Sequence, residues 1–215
     1  MLYQISNQSL LTQPPDFADK PSVYVGFDPT AESIHLGNLA SLIALHHFRA
    51  AGFRPLILLG GATGLIGDPS GRKSERNLLD HDQVGSNLDQ LLQQFKLLNS
   101  NITAAIAKES SVDDMEDFRF INNIDFYEGL NSIDFLRDVG KHFRVNSMLA
   151  KDSVKSRMAT SDSGEGISFT EFSYQVLQAY DFYNLYQQEN CKVQVGGSDQ
   201  WGNITAGCDF IRRKT

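Results

Sequence analysis

Three groups of residues in this sequence could do chemistry. The first lies in "VYVGFDPTAESIHLGNL", where Gly26, Asp28, Thr30, His35, Gly37 and Asn38 follow a short apolar run. An imidazole, an amide and a hydroxyl at the start of a helix can donate hydrogen bonds to an anion, and the helix's free N–H groups and positive dipole end add to the attraction. The second is Tyr174, Gln178 and Asp181, which stand at i, i+4 and i+7 and so share one helix face. Polar side chains on a mostly apolar helix cost about 1–3 kcal/mol each when buried without partners, so they are satisfied internally or kept for a ligand. A zwitterionic amino acid bearing a hydroxyl suits this set, and so do many sugars. The third is the basic cluster Arg72, Lys73 and Arg76 in "GRKSER". It fits a phosphate or an RNA backbone, and equally a solvated surface turn.

The elements that must hold these groups alternate between apolar runs and helical periodicities. "SVYVGF" and "RPLILLGG" read as strands, with the helix "LGNLASLIALHHFRAAG" between them and Gly52 near its C-terminus, which makes a β-α-β unit. In "DQVGSNLDQLLQQFKLLN", Leu88, Leu91, Leu92, Phe95 and Leu98 form one apolar helical stripe. "FRFINN" is a third strand, followed by a helix through "SIDFLRDVGKHF", and "KVQVGG" is a fourth running into the helix "DQWGNITAGCDFIRR". Ser168 and Glu171 have capping-box spacing, so a helix starts there and runs through Tyr186. "SDSGEG", residues 161–166, reads as a surface loop and not a domain boundary. The expectation is an α/β fold with a mainly parallel sheet flanked by helices, in one domain over 1–215.

Composition narrows the function. A net charge of −7 repels polyanions at long range, so any nucleic-acid contact needs a local basic patch or a part outside this sequence. No run of 18 apolar residues could cross a bilayer. The first twenty residues have neither a secretory apolar core nor an arginine, so they read as no secretory signal and no intact transit peptide. Cys191 and Cys208 fit buried reduced thiols better than a disulfide framework or a metal site. His46 and His47 are adjacent and point about 100° apart on a helix, so they cannot share a metal.

Glycines after strands invite a nucleotide, and the common patterns can be tested. "GGATGLIGDPSGRKS" contains no P-loop, no G-x-G-x-x-G follows the first strand, and there is no G-x-S-x-G elbow. A dinucleotide oxidoreductase and a serine hydrolase therefore start from weak positions. His-Leu-Gly-Asn on the first turn after a strand fits a third arrangement, an ATP site in which Gly37 leaves room for the base while His35 and Asn38 donate to phosphate.

"YVGFDPTAESIHLGN", "GGATGLIGDPSG", "FTEFSYQVLQAYDF" and "VGGSDQWGNITAG" together resemble the Rossmann-like (HUP-type) catalytic domain of class I aminoacyl-tRNA synthetases, specifically bacterial or organellar tyrosyl-tRNA synthetases, from about Val23 onward. The resemblance implies ATP-dependent formation of tyrosyl-adenylate and transfer to tRNA(Tyr), with Mg²⁺ on the phosphates. It implies that Tyr24 and Asp181 bind the substrate phenol, that Asp68, Tyr174 and Gln178 hold its α-ammonium group, and that Asn123 and Gln200 complete the pocket. It implies an ATP site of Gly26, Asp28, Thr30, His35, Gly37, Asn38, Gly197 and Asp199, with Thr30, His35 and Asn38 stabilising the transition state. Arg72 and Arg76 meet pyrophosphate or tRNA on the same reading. A homodimer, no membrane, and a cytoplasmic or mitochondrial-matrix location follow from it too.

The sequence departs from the family pattern in places. Asn38 replaces the second histidine of His-x-Gly-His, which tunes activity without abolishing it because an amide still donates. Val25 stands where relatives often carry cysteine, and Phe126 where tryptophan is common. "IRRKT" precedes the family's lysine-containing loop and anticodon-binding regions, so the sequence reads as a fragment that binds tyrosine and activates it weakly. Tryptophanyl-tRNA synthetase is the rival reading, and a non-catalytic module derived from a synthetase is the rival from another class. Phe169 matches the family's subunit contact, while its own surroundings in sequence read as ordinary core.

Overall fold

A computed structural model describes residues 4–6, 20–72, 74, 77–109, 116–159 and 166–215. Strand β1 (Ser22–Phe27) leads through a loop into α1 (Leu36–Ala50), and β2 (Arg54–Leu59) then pairs parallel to β1. A 3₁₀ turn at Thr63–Leu65 precedes the long helix α2 (His81–Glu109), which extends about ten residues past the apolar stripe read from the sequence. Strand β3 (Arg119–Asn122) pairs parallel to β2 and runs into a 3₁₀ turn at Asn123–Phe126. Short helices α3 (Ser132–Asp138), α4 (Val145–Leu149) and α5 (Asp152–Ala159) follow. Helix α6 (Phe169–Glu189), strand β4 (Cys191–Gln194) and helix α7 (Trp201–Lys214) complete the fold.

All strand pairings are parallel, in the order β3-β2-β1-β4. The chain reverses its direction of winding between β1 and β4, and in open parallel sheets ligands bind at the carboxyl ends of the strands at such a switch point. Alternation along the strands divides the core. Val23, Val25, Phe27, Ile57 and Leu59 pack with Leu42 and Leu45 of α1 and with Leu91 and Phe95 of α2. Tyr24, Leu56 and Leu58 point the other way, against Phe182 and Leu185 of α6. A third cluster joins α6 to α7 through Val176, Ala179, Ala206 and Phe210. α6 and α7 pack tightly at Gly207, where a methyl group would stand 2.9 Å from the Phe182 ring.

Helix ends follow local chemistry. Ser168 Oγ accepts from the Glu171 N–H at 3.3 Å, so α6 starts where the sequence places it. The reciprocal half of the box is absent because Glu171 forms a buried 2.6 Å ion pair with Arg157 of α5. Asn190 ends α6 in the left-handed conformation at φ 49°, a geometry asparagine tolerates better than most residues. Two expectations change. "SIDFLRDVGKHF" is not one helix, because α3 stops at Asp138 and a 3₁₀ turn occupies Gly140–His142. Phe169 is not core: 77% of it is exposed at the start of α6, while Glu171, two residues on and so on the other side of the first turn, is the one buried against α5. Residues 160–165, most of the expected "SDSGEG" loop, lie outside the described residues.

Candidate active site

At the carboxyl ends of β1 and β4 a cleft of about 330 Å³ opens between α1, α6 and the start of α7. Tyr24, Gly26, Asp28, Thr30, His35, Gly37, Asn38, Asp68, Asn123, Tyr174, Gln178, Asp181, Gly197, Asp199 and Gln200 all line it. The helix face at i, i+4 and i+7 and the strand-to-helix loop, 146 residues apart at Asp28 and Tyr174, therefore share one cavity. Arg72 is exposed and is not among the lining residues, while Lys73 and Arg76 lie outside the described residues.

The inner end of the cleft is a connected polar network. Tyr174 donates its hydroxyl to Asp28 Oδ2 at 2.7 Å, and Thr63 donates to Asp28 Oδ1 at 2.6 Å. Asn123 is fully buried; its amide nitrogen donates to Thr63 Oγ1 at 3.0 Å and to Asp181 Oδ2 at 2.9 Å, and its Oδ1 accepts from the Ala62 N–H at 2.8 Å. Gly60 is required for this arrangement, because a Cβ there would sit 2.0 Å from Asp28 Oδ1 and 2.6 Å from Thr63 Oγ1. Burial raises the Asp181 carboxyl to about 7, against the two hydrogen bonds from Asn123 and Tyr127 that favour its ionised form and with the like charge of Asp28 opposing it. Beside it, the Tyr24 hydroxyl is buried without a hydrogen-bond partner among the described residues, and its ring packs on Phe182 at 5.4 Å. Burial and Asp181 push that phenol well above its ordinary range. A donor or acceptor left empty in a core is costly, so the Tyr24 hydroxyl marks a place where a polar atom entering the cleft could bond.

A second network holds the side of the cleft. Asp68 accepts from Gln200 Nε2 at 2.7 Å and from the Ser70 N–H at 2.9 Å. Asn203, buried on the first turn of α7, donates to Gln178 Oε1 at 2.9 Å and to Ser70 Oγ at 3.3 Å. It ties Gln178 to the loop that carries Asp68. The Tyr174 hydroxyl, expected near an ammonium group, already donates to Asp28, which leaves its oxygen lone pairs and not its proton for a ligand.

The outer end lies at the N-terminus of α1. His35 is the N-cap: its Nδ1 accepts from the Gly37 N–H at 3.1 Å and the Asn38 N–H at 3.3 Å, and Asn38 Oδ1 returns a bond from the His35 N–H at 2.9 Å. With Nδ1 accepting, a neutral ring carries its proton on Nε2, which remains to donate. Asn38 likewise keeps its amide N–H₂. Gly37 has a second reason to lack a side chain. A Cβ there would meet the His35 ring at 2.9 Å, so the missing side chain also makes space for the folded-back imidazole. Gly197 serves Asp199 in the same way, with Oδ1 2.4 Å from where its Cβ would be. Thr30, His35, Gly197 and Asp199 are exposed, while Tyr24, Asn123, Tyr174 and Asp181 are buried.

Sequence reasoning missed Thr63, Tyr127 and Asn203. Thr63 lies in "GGATG", read only for its glycines, and Asn203 in "DQWGN", where it stands one helical turn after Gln200. That spacing on a helix start was the available signal.

Comparison with known proteins accords with this geometry. A family model described as tRNA synthetases class I (W and Y) matches residues 18–215. A tyrosine–tRNA ligase of Parabacteroides distasonis is 50% identical over 193 residues, 89% of this chain and 42% of that protein. One of Bacillus caldotenax is 51% identical over 196 residues, 91% of this chain and 43% of its own length. The chain thus spans well under half of the curated relatives it matches. A crystal structure of a C-terminally truncated mitochondrial tyrosyl-tRNA synthetase of Aspergillus nidulans superposes with a TM-score of 0.80 at 34% identity, covering 90% of this chain and 53% of that one. The parallel α/β sheet with flanking helices is the fold these structures share.

Proposed function

The chain belongs to the class I tRNA synthetases of the tryptophan and tyrosine group, and on that premise we propose that it recognises and activates L-tyrosine for attachment to tRNA(Tyr). One observation carries this reading: the unpartnered Tyr24 hydroxyl and the Asp181 carboxylate lie together at the buried end of a cleft whose other end is the N-terminus of α1. A phenol there donates to Asp181 and accepts from Tyr24. An indole offers a donor in a different position and no acceptor, and a phenyl ring leaves both groups empty, so tryptophan is not favoured and phenylalanine is rejected. Relatives about 50% identical carry the tyrosine name.

The reaction requires no protein nucleophile. The tyrosine carboxylate attacks the α-phosphorus of ATP, a carboxyl-oxygen-to-phosphorus bond forms, the bond from the α-phosphorus to its bridging oxygen breaks, and pyrophosphate leaves with the electron pair. Asp68 and Gln178, fixed by Gln200 and Asn203, hold the α-ammonium group, with the Tyr174 oxygen as a further acceptor. His35 Nε2–H, the Asn38 amide and the Thr30 hydroxyl donate to phosphate oxygens as charge moves onto pyrophosphate. Gly26, Gly37, Gly197 and Asp199 border the adenosine. Mg²⁺ would accompany the triphosphate and neutralise part of its charge, held by the phosphates more than by a protein cage. Arg72, exposed on the loop that follows Asp68, is the described member of the basic cluster that would meet pyrophosphate or tRNA.

A homodimer belongs to the same proposal: Phe169 is 77% exposed and Ile133, Leu136 and Val145 on the short helices are also exposed, apolar side chains that a second copy would cover. No helix among the described residues is long and apolar enough to span a membrane. The named relatives are bacterial and mitochondrial, consistent with work in the cytoplasm or the matrix. Calorimetry and thermal melting with tyrosine, tryptophan and phenylalanine test the reading. Tyrosine at a hundredfold excess over its Kd should add about 2.7 kcal/mol to stability, and equal responses to tyrosine and phenylalanine would overturn it.

A further inference from the structure

Asp181 is held from both sides, and only one of its partners faces the cleft. Asn123 lines the cavity, whereas the ring of Tyr127 stands behind the carboxylate, stacked at a tilt on Tyr180 with centroids 5.5 Å apart. The Tyr127 hydroxyl lies 2.9 Å from Asp181 Oδ1 and 3.1 Å from the Leu177 carbonyl oxygen. A hydroxyl has one proton to give. When Asp181 is ionised, both neighbours are acceptors, and the carboxylate is the stronger. When Asp181 takes up a proton the order can reverse, with the carboxyl donating to Tyr127 Oη and Tyr127 donating to the Leu177 carbonyl. Neither state strands a proton.

We propose that Tyr127 is a positioning residue for amino-acid selection, which from outside the cleft fixes the orientation and the charge of Asp181 and so sets how strongly the site prefers a phenol to a bare phenyl ring. The inference rests on the tyrosine reading above and adds a residue to it. In its geometry a carboxylate with no cation bonded to it among the described residues is kept able to accept a hydrogen bond from the substrate. The groups that face Asp181 are Tyr24 from β1, Asp28 from the loop after β1, Asn123 and Tyr127 from the turn after β3, and Tyr174 from its own helix. Cys208 of α7 and Cys191 of β4 bear on Tyr24 behind them. Among these, Asp28 disfavours ionisation of Asp181, and the hydrogen bonds from Asn123 and Tyr127 favour it. Losing the Tyr127 hydroxyl removes one of two favourable bonds, which raises the pH at which Asp181 ionises. Phe126, adjacent to Tyr127 in sequence, carries no donor that could replace it.

The test is Tyr127→Phe in the full 215-residue chain, with binding of L-tyrosine and L-phenylalanine titrated by calorimetry from pH 5.5 to 9 and the side-chain carboxyl midpoint read by carbon NMR without ligand. Wild type should lose tyrosine affinity about tenfold per pH unit below pH 7. The variant's midpoint should move up by about one unit, weakening tyrosine roughly fivefold at pH 7 and little at pH 9, with phenylalanine nearly unchanged and the melting temperature lowered chiefly above pH 7. A variant that weakens tyrosine and phenylalanine alike at every pH, or whose carboxyl midpoint stays put, overturns the proposal. If Tyr127→Phe does not fold, Tyr127→His, which keeps a ring N–H donor, must preserve more of the tyrosine preference than Tyr127→Leu, and equality of the two overturns it. Absence of tyrosine binding by wild type would count against the functional reading, while the ligand-free carboxyl midpoint still decides the role of Tyr127.

Discussion

The two ends of the cleft are built by different means. At the inner end, Asp28, Thr63, Asn123, Asp181 and Tyr127 form one chain of hydrogen bonds that joins the loop after β1, two 3₁₀ turns and α6. At the outer end, His35 and Asn38 satisfy only each other and the first turn of α1, through bonds spanning two or three residues, and they remain open to solvent. The inner end is rigid because many elements must move together to distort it, and its polar groups are desolvated, so an ill-fitting ligand is penalised strongly. The outer end is a local motif at the surface, held by one helix start. On the proposed function, selection of the amino acid would be a property of the core, and phosphate binding a property of one helix start.

The strongest way to break this contrast is Asp181→Asn. It should weaken tyrosine binding by more than about 100-fold, because a buried phenol loses its charged acceptor, and calorimetry measures it. The same change should stabilise the ligand-free protein by about 1–3 kcal/mol at pH 8. The sign follows from a carboxyl that titrates near 7 when folded and near 3.8 when unfolded: stability falls as pH rises from about 4 through 7 and stays low above. A loss of stability at pH 8 would show that the inner end is shaped for the fold alone.

Gly60→Ala should cost about 2–3 kcal/mol of stability, since the added methyl group collides with Asp28 and Thr63. Chemical denaturation measures it, and a neutral result would mean that the network relaxes as freely as a surface turn. His35→Ala should cost about 1 kcal/mol through the lost cap and also weaken ATP binding, whereas His35→Asn should restore the cap and not the affinity. If both variants bind ATP like wild type, the outer end is only a helix cap.

One expected effect lies outside both ends. His46 is buried against Phe118 with neither ring nitrogen partnered among the described residues, and burial together with Arg49 and His47 lowers it from 6.5 to about 4. A base depressed in the folded state costs nothing above the unfolded value and destabilises as pH falls from 6.5 towards 4. His46 and Asp181 therefore slope in opposite directions over the same interval. His46→Leu should remove about 1–2 kcal/mol of acid lability by pH 4 and uncover the Asp181 slope in thermal melts; an unchanged profile would assign the acid response to other groups.

How much of this was legible depended on the range of the interactions. His35, Gly37 and Asn38 were readable because a helix cap is written in consecutive residues, and Tyr174, Gln178 and Asp181 because helical periodicity puts them on one face whatever surrounds the helix. The four strands and their parallel character followed from apolar runs separated by helices. Phe169 misread because exposure depends on what packs over a helix start, which the helix's own sequence does not contain. Tyr127 was invisible for a related reason: its partner is 54 residues away, and nothing local to "DFYEG" calls for a hydroxyl.

By itself, the sequence determined the alternating α/β elements, the anion-suited first turn of α1 and the polar face of α6. Only the tertiary structure decided that these meet in one cleft, that the Tyr24 hydroxyl is left without a partner there, and that Asn123 and Tyr127 together hold Asp181. Local patterns are set by steric and hydrogen-bonding preferences within a few residues, whereas the state of a buried charge depends on every group the fold brings around it, from whatever distance along the chain.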